Sequence, residues 1–422
     1  MRVERLMRWR TLRPLHHRDY RLLLSTVGLS LFATGMWTIV MVFQVFAIDD
    51  SPLVLSAVAT GLSLGLFAFA ILGGVIADRF SKRVVIMSVQ GANTVALTAV
   101  AVLSLAGLVE LWHLAAASFV IGAGSAFFYP AYSAYLPQVL EAEELLAANG
   151  LEGAVRPTVQ QGLGPALGGL IVGAFFPAAG AAVVAVSFGA AFIVTLFLSR
   201  REPFIDEAVE VQVQSVLADL REGVRYVVTT RWLWWTLLFG STLALVIQGP
   251  IEVLLPFLTR ERFSNPELSF GLLLAAYGIG GAVGSLVVSS WRLPRRYLTV
   301  MLLFWGGGAL PLVLLGLSDS FTIMAAALFL VGGTSGAGIV IWGTLLQRRV
   351  PANMIGRVAS LDFFVSIAFM PISIAIAGPL SLVLPAETIF VIAGLVPPAL
   401  AVLAITAGRM RTDEMAHPLD KT

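Results

Sequence analysis

The chain has 422 residues, of which 58% are hydrophobic and only 12% charged, with 40 glycines, no cysteine and a mean hydropathy of +0.89. A water-soluble domain carries roughly 25% charged residues, so this composition places the chain in a lipid bilayer and excludes the soluble enzyme classes. The formal net charge of +2 sits on scattered arginines, which argues against a nucleic-acid partner, and the lack of cysteine excludes disulfides, zinc-thiolate sites and iron-sulfur clusters.

Apolar runs of membrane length, bounded by charge or turn residues, predict twelve helices. In chain order they fall near 21–48, 54–77, 84–108, 112–137, 154–175, 179–199, 232–259, 268–290, 297–317, 321–347, 357–382 and 386–408. The runs are continuous, whereas a barrel strand would alternate over about 10 residues, so they are helices. With the N-terminus assigned to the cytoplasm, every one of the 27 basic residues except Arg156, Arg260 and Arg262 falls on an inside segment. That bias predicts both termini inside and an even number of spans across the plasma membrane. The first apolar run is too long for a cleaved signal peptide and is read as retained. Neither Lys82 nor Lys421 stands in a phosphate-loop context, so no ATP site is expected.

The expected organisation is a cytoplasmic segment at 1–20, six-helix bundles at 21–199 and 232–408, a linker at 200–231 and a tail at 409–422. Within the linker, Ser215–Thr229 reads as an amphipathic helix with Val216, Leu220, Val224 and Val227 on one side. A weak internal repeat supports the cut. Pro165 and Pro371 lie 206 residues apart, and the glycine turns expected after spans two and eight begin at Gly74 and Gly284, 210 apart. Repeated halves with a site between them are the architecture of secondary transporters.

After span two comes Gly74-Val75-Ile76-Ala77-Asp78-Arg79-Phe80-Ser81-Lys82-Arg83. It resembles the G-x-L-A-D-R-x-G-R-K signature of the major facilitator superfamily, with Ser81 in place of the second glycine. In the second half, Val288 stands where the acid would be. The resemblance implies an all-α polytopic fold of twelve transmembrane helices in two pseudo-symmetric six-helix halves that rock against each other. It also implies a contact of Asp78 with the start of span eleven, near Gly356 and Arg357, that breaks when the halves rock. A charge-anchored loop without a switching role is the alternative reading. In span five, Gly164-Pro165-Ala166-Leu167-Gly168-Gly169 resembles the G-P-x-x-G-G motif of drug antiporters in that superfamily, with Gln160 where the motif begins with glycine. Ordinary small-residue packing is its alternative. Stretches at Phe128–Ala131, Leu146–Leu151, Leu220–Tyr226 and Gln347–Val358 are similar to exporters grouped with macrolide efflux proteins and the enterobactin exporter.

Ionisable groups inside the spans are functional candidates by default. Glu252, which follows Gln248-Gly249-Pro250 in span seven, is the first proton-coupling candidate, against a hydrogen-bonding role. Asp362 in span eleven, ~8 Å beyond Arg357 by the helical rise, is the second, against that of a plain helix-start acid. Gln44 stands 208 residues before Glu252 at a pseudo-equivalent place. Arg156 has Glu152 one turn behind it, so an i,i+4 pair competes with a cavity cation joined by Gln160. Trp37, Phe128, Tyr129, Tyr132 and Trp342 fall on spans that, by the resemblance, face the central cavity, where aromatics stack on lipophilic or cationic ligands. Trp232, Trp234 and Trp235 read as an interfacial belt.

The sequence reading is therefore a monomeric secondary transporter that exports lipophilic or amphipathic small molecules by alternating access. Its energy source would be a proton gradient, with no cofactor, no metal and no catalytic residue. A lipid or lysophospholipid transporter is the alternative, and a non-transporting receptor a weaker one.

Overall fold

The structure is a computed structural model that describes residues 10–199, 213–291, 293–351 and 354–419. After a short 3-10 turn at Arg10–His16, the first part of the chain forms α1 (Arg18–Phe46), α2 (Pro52–Arg79), α3 (Lys82–Leu105), α4 (Leu111–Val139), α5 (Ala142–Val155), α6 (Gly164–Ala174) and α7 (Pro177–Leu196). The second part forms α8 (Val213–Thr229), α9 (Arg231–Gly249), α10 (Leu255–Arg262), α11 (Pro266–Ser289), α12 (Tyr297–Gly307), α13 (Val313–Leu317), α14 (Phe321–Arg349), α15 (Ile355–Ser381), α16 (Ala386–Ala407) and α17 (Met410–Ala416). No strand occurs among the described residues. Local chemistry sets the helix starts: Ser51 caps α2 by accepting from the Leu53 amide at 3.3 Å with Pro52 at the first helical position, and Glu110 and His113 form a reciprocal capping box at α4.

Eleven helical runs among the described residues are long and apolar enough to span a bilayer. The fifth expected span is the exception. Its chain is helical from Ala142 to Ala174, but Arg156–Leu163 widens into π-turns, and the Gly164 amide donates to Val159, five residues back. Pro157 and Pro165 each remove an amide donor, and the polar sequence RPTVQQGL occupies the widened stretch. Span seven is likewise a composite, with π-turns at Pro250–Leu254 joining α9 to α10.

The described chain divides into two compact units: residues 10–199 with 259–275, and 213–258 with 276–419. The first is centred on Tyr20, Leu31, Ile86, Tyr132, Tyr135 and Leu136. The second is centred on Trp232, Leu233, Met301, Leu302, Trp342 and Leu345. Between these cores and lipid the surface stays apolar, with Val95, Val102, Leu286 and Val402 exposed. Helix association in lipid depends on close packing, since lipid tails are as apolar as leucine. On α2, Gly61, Gly65 and Gly73 face the carbonyl oxygens of Ala115, Phe119 and Ala126 so closely that a Cβ would collide. In the second unit Gly280 and Gly284 of α11 meet Phe329 and Gly333 of α14 in the same way. This corrects the sequence reading of Gly74 and Gly284 as turn glycines. Both lie inside helices, and a Cβ on Gly74, one residue and ~100° of helical phase from Gly73, would meet nothing within 4 Å outside its own helix.

Helix α8 covers the expected amphipathic segment, but its packed face differs. Val224 is exposed, while Val227 is buried and Gly223 lies against Arg357 and Leu361. The contact stripe therefore runs through Gly223, Tyr226 and Val227, because a glycine allows the α15 backbone closer than a valine would. The side chains of Val216 and Leu220 lie outside the described residues.

The tail locks onto the second unit. The Glu414 carboxylate, 1% exposed, accepts from the amides of Leu298 (3.0 Å) and Thr299 (3.1 Å) and from the Thr299 hydroxyl (2.8 Å), capping α12 from outside its own sequence. Glu414→Ala leaves these donors buried and unpaired, and is expected to destabilise the second unit by about 3 kcal/mol, read as an earlier thermal transition in detergent.

Candidate functional site

The signature after span two folds into the end of α2 and the start of α3. Arg79 is exposed and Lys82 is buried. Arg83 donates to the carbonyl oxygens of Leu198 and Leu196, each at 2.8 Å, and so ties α3 to the end of α7, where free carbonyls favour a cation. The Asp78 side chain lies outside the described residues. Arg357 bonds Glu222 of α8 at 2.7 Å, and Gly356 stands in open space. The structure thus links the start of span eleven to the linker helix, a partner that the sequence reading did not name.

The span-five motif is packed backbone to backbone on two sides. Gly164 and Gly168 face Met36 and Ile39 of α1, and a Cβ on Gly169 would run into the carbonyl of Glu267. From the other side, Gly271 presses on the carbonyl of Pro165, so both helices of the crossing contribute glycines. Gly164, Pro165, Gly168 and Gly169 are all buried. The preceding π-turns push the Gln160 carbonyl against Gly35 of α1. In the same unit Arg260 donates through its two terminal nitrogens to the carboxylate of Asp50, in the loop between α1 and α2. The Arg260 guanidinium holds the Asp50 carboxyl below the ordinary aspartate range, chiefly by this hydrogen bonding. A lowered folded-state pKa contributes stability above the unfolded value of ~3.9 and loses it as pH falls through the folded value. The pair is exposed, so its effect is small and salt-sensitive. Asp50→Asn is expected to lower thermal stability slightly at pH 7, with the difference vanishing in strong acid.

Of the aromatic candidates of the first unit, Phe128, Tyr129 and Tyr132 form one cluster, and Trp37 is bonded elsewhere. Trp37 is fully buried and donates to Ser118 at 3.0 Å, and Gln44, 2% exposed, donates to Ser104 at 2.6 Å. Both hold α1 to neighbouring spans. Phe128 and Tyr132 are buried and stacked at 6.2 Å. Tyr129 packs edge-on against Phe128 at 5.8 Å, and the Arg156 guanidinium lies 4.3 Å over its ring and also bonds Glu152 at 2.9 Å. The i,i+4 pair is present, and the same arginine caps an aromatic face. Gln160, half-buried, lies one turn further along the π-turn segment.

In the second unit the structure joins candidates that had been separate. Trp342 donates to Asp362 at 2.9 Å, and Ser366 bonds the other carboxylate oxygen at 3.5 Å, so Asp362 is held by span ten and its own helix and is not a plain helix-start acid. Trp232 is a correction: it is 3% exposed, packs edge-on to Trp342 at 6.2 Å and lies under Arg349 at 4.7 Å. Helical phase turns it inward while Trp234 remains exposed. Glu252 sits half-buried on the π-turns of span seven and accepts from Gln248 at 2.5 Å. Beside it, Ser373 of α15 accepts from the Gly249 amide at 2.8 Å and donates to the Leu245 carbonyl at 2.6 Å. The sequence reading missed Ser373. Its only advance signal was Pro250, which marks a local break in the ladder of span seven without saying which helix packs a polar group against it.

Two units of membrane-length helices, broken at spans five and seven where the polar candidates stand, define a multi-pass membrane transporter of the major facilitator superfamily. The chain belongs to the family described as transmembrane secretion effector, which matches residues 10–416. It is 21% identical over 360 residues to macrolide efflux protein A of Streptococcus pyogenes, covering 83% of this chain and 86% of that protein. It is 24% identical over 354 residues to the enterobactin exporter EntS of Shigella boydii, covering 82% and 81% respectively. Among solved structures, a POT family transporter in complex with 5-aminolevulinic acid shares the fold with a TM-score of 0.70 at 14% identity, covering 93% of this chain and 96% of that one.

Proposed function

We propose that this chain is an alternating-access exporter that carries lipophilic or amphipathic small molecules out of the cytoplasm in exchange for protons, with both termini inside. The observation that carries the reading is Glu252, a carboxylate on the π-turns of a membrane span whose hydrogen-bond partner among the described residues is an amide. A carboxylate facing an amide can gain and lose a proton without breaking an ion pair, which suits a carrier in a low-dielectric layer. Asp362, bonded by Trp342 and Ser366, is assigned a holding role.

The span-five glycines and the chain at 259–275 form the outer gate in this reading. Gly169 against Glu267, Gly271 against Pro165, and Arg260 with Asp50 are contacts that close together and release together. For the inner side, the family resemblance assigns switching roles to Asp78, Arg79, Lys82 and Arg83 in the first unit and to Gly356 and Arg357 in the second. Arg156 and Tyr129 offer a cation and a ring to the substrate, with Gln160 and Gln248 as further polar contacts. Export as the direction is supported by the relatives named for macrolide efflux and enterobactin export.

Inside-out vesicles offered fluorescent lipophilic cations, macrolides and siderophores, with and without an imposed proton gradient, test this reading. Gradient-dependent accumulation of at least one class is expected. Movement of labelled lysolipid with no gradient dependence, and of nothing else, would replace it with lipid transport.

A further inference from the structure

We propose that Ser373 is a positioning residue for Glu252: its hydroxyl takes the place of one rung of the α9 hydrogen-bond ladder, holds span seven open at Pro250, and so sets the direction in which the Glu252 carboxylate points. The inference rests on the reading of Glu252 as the proton carrier and adds the group that controls it.

In a regular α-helix the Gly249 amide would bond the Leu245 carbonyl, four residues back. Here it bonds the Ser373 hydroxyl at 2.8 Å, and that hydroxyl donates in turn to Leu245 at 2.6 Å. One O–H group acts as acceptor and donor together, standing between two halves of a broken rung. The next residue, Pro250, has no amide proton, so the Val246 carbonyl loses its donor as well. The ladder is thus altered at two successive positions, at Gly249 by the serine and at Pro250 by the missing donor, and the helix continues with five-residue spacing, the Leu255 amide bonding Pro250. A single added residue in the turn rotates everything beyond it by ~100°, so the π-turns determine which way Glu252 and the helix after it face.

The crossing is built to admit this insertion. A Cβ on Gly249 would collide with the Ser373 carbonyl, so the α15 backbone reaches α9 only because residue 249 is glycine. Ser373 itself is 3% exposed, and in a lipid-embedded bundle no water replaces a missing donor there. Gln248, which donates to Glu252, is the residue before the broken rung. The serine therefore acts on the carboxylate through the backbone and through its amide partner, without touching either carboxylate oxygen in the described geometry.

The test uses the full chain in lipid vesicles and needs no knowledge of the transported molecule. A lipophilic carbodiimide modifies protonated carboxyl groups within the membrane, and peptide mass spectrometry reads its attachment to Glu252 across pH. Ser373→Ala is expected to move the midpoint of labelling by about half a unit or more, a threefold change in proton affinity, with Ser373→Thr returning it toward the wild-type value. Thr236→Ala is the control: it removes a buried hydroxyl that bonds Trp232 within α9 at 2.7 Å, away from the broken rung, and is expected to leave the midpoint unchanged. A wild-type midpoint in Ser373→Ala, or an equal displacement in Thr236→Ala, overturns the proposal. Failure of the proton-carrier reading would show separately, as undiminished gradient-driven export by Glu252→Gln, while the labelling midpoint still decides the role of Ser373.

Discussion

Glu252→Gln is expected to reduce gradient-driven export about a hundredfold, the lower range for removing an essential proton-transfer group, while leaving the protein folded and able to bind substrate. Glutamine fills nearly the same volume, and its carbonyl oxygen can still accept from Gln248, so the π-turns and the Ser373 insertion are preserved. What is lost is the ability to alternate between charged and neutral forms. The separation of binding from coupling distinguishes this outcome from simple unfolding. Substrate exchange down its own gradient should persist in the variant, and movement against a gradient should not. Undiminished uphill export would remove Glu252 from the mechanism and leave it a hydrogen-bond acceptor for Gln248.

Gly169→Val is expected to be the most damaging single change in the span-five motif. A side chain at this position meets the backbone of Glu267 and Leu268, which cannot rotate away as a flexible side chain would. The α6 and α11 backbones must separate, at a cost of about 1–3 kcal/mol for overpacking, and the contact between Gly271 and Pro165 loosens with them. Export should fall at least tenfold because the outer gate no longer closes, whereas Gly169→Ala should retain part of it. Gly150→Val provides the contrast, since a Cβ there meets nothing within 4 Å beyond its own helix and wild-type export is expected. If Gly169→Val exported normally, the motif would be a packing feature without a gating role.

Much of the architecture was legible because a bilayer imposes a strong constraint on sequence. Each span needs about 20 apolar residues and internal satisfaction of its backbone, so length and hydropathy located most helix ends to within a few residues. In span five Pro165 signals a bend, but hydropathy does not register the Arg156–Leu163 widening, to which the lost amide donors at Pro157 and Pro165 both contribute. Helical phase was the other blind spot. Gly73, not Gly74, touches α4; Gly223, not Val224, faces α15; and Trp232 turns inward while Trp234 stays exposed. One residue of displacement is ~100° on a helix, and a helix apolar on every side gives no contrast from which to read that angle. Of the polar candidates, Glu252 and Arg156 stood out by their rarity in apolar runs. Ser373 did not, because a serine in a membrane helix is ordinary until its distances to Gly249 and Leu245 are known.

The wild-type chain contains no cysteine, so any introduced thiol is unique in the molecule. Single cysteines at Gln160 and Gln248, treated with an impermeant maleimide from one side of sealed vesicles and then from the other, test alternating access directly. The account predicts that each thiol is reached from either side in turn, that imposing a proton gradient shifts the balance between them, and that blocking one face with bound substrate protects the other. A thiol sealed from both sides under every condition, or one open to both sides at once, would contradict it.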